Sequence, residues 1–437
     1  MRNTTKTLRA LLPVFALSAC MLSSCLKEQE DFFDEPATLR LQNTLDRTAQ
    51  ILRSAEYGWA MDYYPDRNLN YGGYVYTVRF DSLKAEVRTE LSPDSVVSSY
   101  YSMGSDDGAI LTFDTYNKLM HFFATPSSSE YEAKDGDFEF VIDSISQDVI
   151  KLHGKRNQNH VYLHRLTEPA ESYISKVIDM GENFVARGSG SIGSLQTDCQ
   201  FDLNKRILQY TDEEGAEHAH YFVFTDQGLR FYEPFEVEGN RIEQLVIDSQ
   251  LNMTAPENSA IQLKGEPHDS TFVPYSAYIG GFYFSYYNGQ VNVPVILRPN
   301  RFQGGFDIVG LSSTFNVFIS YDKNTGCLEL NPQIVGIYAN PDDGLRYGVY
   351  FMAWNSTAGN LTWTPEAGMK TVWNGDTENP VYEFVSNDYQ RFQTDSYYIA
   401  YVYLGDDGYA HLGRLPSEWG IGGNTQVPYI TSLIKRN

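Results

Sequence analysis

The spacing of hydrophobic positions along this chain changes once, and the change divides it. Over residues 38–55, Leu41, Leu45, Thr48, Leu52 and Ala55 recur at steps of three and four, while Arg40 and Arg53 fall off that stripe. With Pro36 upstream and Gly58 just beyond, the pattern predicts one amphipathic helix packed on a sheet. From Tyr71 onward the period becomes two. Short runs rich in Val, Phe and Tyr alternate with turn clusters such as Gly72-Gly73, Ser92-Pro93-Asp94 and Asp135-Gly136-Asp137.

Residues 37–166 therefore read as a helix plus an antiparallel sheet, closed by a boundary at Thr167-Glu168-Pro169. Residues 174–265 read as a second β segment, with strands near 199–203, 207–210, 220–225 and 230–232. Residues 277–437 read as a meander, with strands near 291–297, 306–311, 316–321, 327–330, 347–354, 361–363, 382–385 and 397–404. Short strands on tight connections suit an up-and-down barrel or a sandwich. The predicted fold class is mainly β with one N-terminal helix (α+β), built from antiparallel sheets with a C-terminal β-barrel-like or β-sandwich module.

Composition supports that class: 14% of the 437 residues are aromatic, with 32 Tyr and 25 Phe, a bias that suits pleated, half-exposed sheets. The formal net charge of -23 repels polyphosphate, so nucleic acid is excluded as a partner, as is direct adsorption to an anionic membrane surface.

The N-terminus carries the most specific signal. Arg2, Lys6 and Arg9 precede an apolar stretch, residues 10–22, that is too short to span a bilayer. Leu22-Ser23-Ser24-Cys25 resembles the lipobox of bacterial lipoproteins, in which the cysteine is acylated and becomes the new N-terminus. Leu17-Ser18-Ala19-Cys20 fits the same pattern, but cleavage there would leave Cys25 without a role. The expected organisation is a signal peptide at 1–24 and a lipidated tether at 25–36, with Cys25 as the lipidation site. The acidic run Glu28-Gln29-Glu30-Asp31 resembles the surface-export signal of Bacteroides-type lipoproteins and implies the outer face of the outer membrane. Cys199 and Cys327 lie in separate segments and are expected to be unpaired thiols.

Tyr57-Gly58-Trp59, Tyr63-Tyr64-Pro65, Tyr71-Gly72-Gly73-Tyr74, Phe113-Asp114-Thr115-Tyr116-Asn117, Gly136-Asp137-Phe138-Glu139-Phe140 and Leu152-His153-Gly154-Lys155-Arg156 follow one another in order. Together they resemble an uncharacterised family of Bacteroides-type surface lipoproteins over residues 35–265. The remainder resembles β modules of the same organisms only loosely. The resemblance implies a helper of an outer-membrane nutrient-uptake system, with a transporter and its substrate-binding lipoprotein as partners. It brings no catalytic residues.

Candidate chemistry is sparse. Gly188-Ser189-Gly190-Ser191-Ile192-Gly193 spells the dinucleotide pattern GxGxxG, but a strand-like stretch follows where a helix is required, so a flexible hairpin loop is expected and no cofactor. His218 and His220 share a strand face near Glu213, Glu214 and Glu217, the weak candidates for a metal site; His153, His160 and His164 flank a second hairpin. Asp322-Lys323-Asn324-Thr325-Gly326 begins like a calcium loop, yet its twelfth position is Gln333, so it reads as a turn. No GxSxG, HExxH or P-loop occurs.

Aromatic residues supply the remaining signal. In the strand near 397–404, Tyr397, Ile399, Tyr401 and Tyr403 alternate with a less Tyr-rich face, and Trp354, Trp363 and Trp373 lie in the same module. Such residues stack on sugars or peptides, or pack in a core. The expected function is a non-catalytic surface lipoprotein that binds a nutrient, glycan or peptide; the alternatives are a hydrolase with an acidic catalytic pair and a structural accessory docking on a transporter.

Intact-mass analysis of the membrane-extracted protein is expected to show loss of residues 1–24 and an acyl-glyceryl adduct on Cys25. An unmodified Cys25 in a soluble product removes both the anchor and the surface location.

Overall fold

The computed structural model describes residues 36–106, 108–126, 133–403, 410–411 and 415–436. The signal segment, Cys25 and the tether through residue 35 lie outside the described residues, as does Leu404 at the end of the last expected strand. The chain divides into two compact units, Met1–Thr48 and Ala49–Asn437. In the first, the described residues are chiefly the start of helix α1 (Ala37–Ser54), where the Thr44 and Thr48 hydroxyls donate to the carbonyls four residues back, at 3.0 and 2.7 Å.

The second unit begins with a nine-stranded antiparallel sheet. Its strands lie in the order Val97–Tyr100, Lys84–Thr89, Tyr74–Phe80, Trp59–Tyr63, His160–Arg165, Val149–Gly154, Glu139–Ile145, Ala109–Thr112 and Ser102–Ser105. The edge strand Ser102–Ser105 thus adjoins only Ala109–Thr112, whereas the first strand in sequence is central and buried at every position. Burial of both faces explains why Trp59–Tyr63 shows no alternation in its exposure. Trp59, Met61 and Tyr63 join Ile51, Leu52 and Ala55 in one core, while Ala60 joins the core of the next module. Trp59 Nε1 donates to the Leu52 carbonyl at 2.9 Å, which satisfies the buried indole.

A second helix, α2 (Ala170–Asn183), follows Pro169, where the β segment was expected to begin. Tyr173, Ile174 and Val177 are its buried residues, at helical spacing, and Lys176 pairs with Glu168 at 2.7 Å. Its single buried stripe spans barely more than one turn, too short to dominate the alternating runs on either side.

Beyond α2 the chain forms a closed barrel of Arg187–Ile192, Leu195–Asp202, Ile207–Thr211, Glu217–Phe224, Gly228–Val237, Asn240–Ile247, Asn252–Thr254 and Ile261–Gly265. The GxGxxG stretch is a barrel strand rather than a hairpin loop, with Gly188 opposite both Cys199 and Gly265. Gly190 sits at φ +151°, and a Cβ there would come 2.2 Å from the Gln262 carbonyl oxygen, so the glycine serves barrel closure. Cys199 is buried, Cys327 half-buried, and both thiols are free.

The C-terminal module is also a closed barrel, of Gly280–Tyr286, Val291–Asn300, Gly305–Val309, Val317–Asp322, Cys327–Leu330, Met369–Trp373, Val381–Ser386 and Ser432–Lys435. The remaining strands leave it. Gln333–Ala339, Arg346–Asn355, Ser396–Tyr403 and Ala410–His411 form a separate antiparallel sheet, with Asn360–Thr362 and Gln426–Val427 at its sides. The expected meander is thus a barrel with a sheet built from its excursions.

The ordered motifs of the first module interlock around one carboxylate. Asp137 accepts from the backbone N–H groups of Arg156 (3.0 Å) and Asn157 (2.8 Å), while the Tyr63 hydroxyl accepts from the Asp137 N–H at 2.8 Å. Asn157 Nδ2 donates to the Tyr64 carbonyl at 3.3 Å. Gly154 lies beneath this knot: a Cβ there would stand 2.2 Å from Asp137 Oδ2 and 2.4 Å from Asn157 Oδ1. Gly154→Ala is expected to destabilise the module by about 1–3 kcal/mol through overpacking. Gly104→Ala, where nothing lies within 4 Å, should stay within about 0.5 kcal/mol. Thermal melts of the two variants beside the parent check the contrast.

Candidate functional site

The excursion sheet sorts its aromatic residues by face. Directly opposed strand partners share a face, and Arg346–Asn355 pairs with Ser396–Tyr403 so that Tyr347 meets Tyr403, Val349 meets Tyr401, Phe351 meets Ile399 and Ala353 meets Tyr397. This is the inner face. Tyr397 is fully buried, stacked on Phe351 at 4.3 Å, with its hydroxyl donating to the Leu330 carbonyl. It therefore does not present its ring to solvent. Tyr401 and Tyr403 are half-buried and pack about Tyr347 at 4.9 and 5.6 Å, and Tyr338 adjoins both Tyr401 and Trp419 at 6.2 Å.

The opposite face carries half-buried rings and one exposed ring, Trp363. Tyr350, Met352 and Trp354 oppose Ala400, Tyr398 and Ser396, and Leu361 stands across from Trp354 on the other side. Trp354 meets Tyr398 edge-on at 6.1 Å, and Trp363 meets Tyr350 at 6.2 Å. Met352 and Ala400 are buried beneath these rings, whereas Trp363 is 45% exposed and Ile334, opposite Tyr350, is 42% exposed. Its tyrosines are Tyr350 and Tyr398, whereas the Tyr-rich face expected of the strand near 397–404 is the inner one. Only the register with the neighbouring strand reveals this.

Trp373 lies apart from that face. It belongs to the barrel strand Met369–Trp373, opposite Tyr382, packs against the barrel core and donates from Nε1 to the Asp376 carbonyl at 3.3 Å. Two of the three expected tryptophans are thus on one sheet face and the third is on a barrel.

The histidines do not converge. His218 Nε2 lies 2.9 Å from Asp212 Oδ2 and its ring stacks on Tyr210 at 4.8 Å. His220 stacks on Phe235 at 3.7 Å, its Nε2 buried without a hydrogen-bond partner. Burial, then the neighbouring His218, lower the His220 pKa to about 4. His153 pairs with Asp143 at 2.6 Å, His164 faces Asp62 at 3.4 Å, and His160 lies against Tyr232. Among the described residues, the potential ligand atoms that lie within 4.8 Å of one another belong to Asp322, Cys327 and Glu329. Their chemistry fits a metal poorly. Burial raises the pKa of both the Cys327 thiol and the Glu329 carboxyl, and Asp322 already accepts from Asn324 N–H, Asn204 Nδ2 and the Thr325 hydroxyl.

Buried acids are likewise committed. Asp62 accepts from Arg230 at 2.7 and 3.0 Å; burial would raise its pKa, but the Arg230 and His164 charges hold it down at about 2. Glu90 takes two bonds from Arg206, at 2.8 and 2.6 Å.

A family model described as Domain of unknown function (DUF4302) matches residues 29–249, about half of the 437-residue chain, and a second, described as Domain of unknown function (DUF4987), matches residues 254–400. No curated protein and no solved structure matches. The resemblance over 35–265 falls mostly on the first match, and the C-terminal module, expected to resemble other β modules only loosely, is matched by the second model up to residue 400.

His220 gives the second unit an acid-sensitive point. The folded chain keeps this ring neutral to about pH 4, whereas the unfolded chain takes up the proton near 6.5. Stability is therefore expected to fall as pH drops from 6.5 towards 4. His220→Phe, which keeps the stack on Phe235, should flatten that part of the stability-against-pH curve, measured by urea denaturation; an unchanged slope would show the ring to be solvated.

Proposed function

The chain belongs to the DUF4302 family, whose description names no activity, and from that premise we propose that it is a non-catalytic lipoprotein of the cell surface, anchored through Cys25, that captures a glycan on the outer face of its excursion sheet. The partners that follow are the outer membrane, through the lipid, and an uptake transporter with its substrate-binding lipoprotein.

One observation carries the reading: Tyr350, Trp354, Trp363 and Tyr398 gather on one sheet face, with Trp363 45% exposed. Rings held by strand pairing lose little freedom on contact, and each offers an apolar face beside a polar N–H or O–H, which suits a sugar's C–H face and hydroxyls. Two further facts support a binding role over hydrolysis. The deeply buried acids Asp62 and Glu90 are neutralised by Arg230 and Arg206. Asp137 is occupied by backbone N–H groups. Hydrolysis of a glycoside needs two free carboxyls facing one substrate.

Screening the full chain against oligosaccharide and peptide arrays is expected to give retention of a glycan class without turnover. Trp363→Ala and Trp354→Ala should each weaken it about five- to tenfold, the worth of one stacked ring. Trp363→Phe should recover part of the loss, and Trp373→Ala should leave retention unchanged. Retention indifferent to Trp354 and Trp363 overturns the assignment of the face, peptide retention overturns the ligand class, and turnover overturns the non-catalytic reading.

A further inference from the structure

A cavity of about 50 Å³ lies where the nine-stranded sheet, helix α2 and both barrels meet. It is several times the ~10–15 Å³ that one water needs on the same measure. Five charged side chains line it: Glu90 from the sheet module, Glu182 from α2, Arg206 from the first barrel, and Arg301 and Lys323 from the second. Four of them pair off. Arg206 makes its two bonds to Glu90 and a third to the Gly73 carbonyl at 2.8 Å, and Arg301 meets Glu182 at 2.5 Å.

Lys323 is the fifth. Among the described residues its ammonium has no hydrogen bond and no carboxylate within ion-pair distance, although its backbone N–H is fixed by Asn204 Oδ1 at 3.1 Å. Burial, then the positive charge of Arg206, lower its pKa to about 8. It is still a cation at neutral pH, so the cavity holds one uncompensated positive charge. Lys323 as a whole is half-buried, and the part of its charge withdrawn from water is costly unless something pairs with it.

Donors also remain unused. A guanidinium offers five N–H groups; the bonds of Arg301 account for one of them. Phe184 and Phe224 supply apolar walls beside these groups, a setting that strengthens any charge-assisted hydrogen bond made inside.

We propose that this cavity is a binding site for a small oxyanion, a phosphate or a carboxylate, whose charge is met by Lys323 and whose oxygens accept from Lys323 and from the free N–H groups of Arg301. The site is independent of the aromatic face. A bound oxyanion would tie the second barrel to helix α2, since both donors come from that barrel and the partner of Arg301, Glu182, comes from the helix.

The test uses the full chain, with sodium phosphate, sodium acetate and sodium chloride compared at matched ionic strength. Phosphate or acetate is expected to raise the melting temperature saturably where chloride does not. Lys323→Met should weaken that effect about tenfold, the worth of one charged hydrogen bond, and Arg298→Gln, on an exposed pair with Asp307, should leave it intact. A second measurement on the unmutated chain keeps the outcome decisive: acylation of Lys323 at pH 8, followed by peptide mass spectrometry, should slow in the presence of the same anion while exposed lysines react unchanged. Phosphate alone active assigns a phosphate site, and acetate alone a carboxylate site, as on an acidic sugar or a peptide terminus. Equal effects of all three salts, or acylation of Lys323 indifferent to the anion, overturn the proposal.

Discussion

A buried charge must find a partner, and the turn that carries Arg206 meets that requirement across two modules. Arg206 is 3% exposed and its backbone is left-handed, at φ +56°, a conformation that a long side chain adopts only under constraint. Its guanidinium reaches Glu90 of the neighbouring module, which is itself 6% exposed. Removing either partner would strand the other away from water, a loss of about 3–5 kcal/mol. The same turn meets the second barrel through Asn204, which donates to Asp322 at 2.8 Å and accepts from the Lys323 N–H, while Asn324 Oδ1 accepts from the Leu203 N–H at 2.8 Å. What reads as the start of a calcium loop in sequence is half of this clasp. Its spaced oxygens face amides of a neighbouring barrel, not a cation.

Pattern in the sequence revealed what depends on local periodicity and missed what depends on closure. Helix α1 was legible because five residues repeat on one stripe over more than four turns. Most strands of the C-terminal module were legible from period-two runs between turn residues. Gly280–Tyr286, Gln333–Ala339, Met369–Trp373 and Ser432–Lys435 were not. Gly280–Tyr286 is aromatic on both faces, Gln333–Ala339 is half-exposed along most of its length, and Ser432–Lys435 is four residues long. The choice between barrel and sandwich was closed to sequence for a different reason. It is settled by pairings such as Gly188 with Gly265 and Phe284 with Leu433, between residues far apart in the chain. No local propensity encodes these, because the energy lies in the contact between strands.

The motifs that make the N-terminal half recognisable have a structural explanation. Asp137, Gly154 and Asn157 are mutually exclusive of bulkier neighbours, and Tyr63 ties them to the central strand. The family match ends at residue 249, before the barrel strand Ile261–Gly265 that closes onto Arg187–Ile192, and the second match begins at 254. The boundary between the two matches therefore falls inside one closed barrel: the six strands from Arg187–Ile192 to Asn240–Ile247 lie in the first match, the closing strand lies in the second, and Asn252–Thr254 sits at the junction.

That arrangement bears on where the proposed binding face sits. A closed barrel satisfies every strand edge internally and leaves no backbone for a ligand. Sequence that departs from the barrel between Leu330 and Met369, and again between Ser386 and Ser432, forms a sheet with no part in closure. Substitutions on its outer face change no barrel register, and its inner face is fixed by Phe351 and Tyr397 against the core. On the proposed reading, a rigid mount holds surface aromatic residues for ligand contact rather than for packing. Trp354 and Trp363 stand on that mount; Trp373, on the barrel itself, does not.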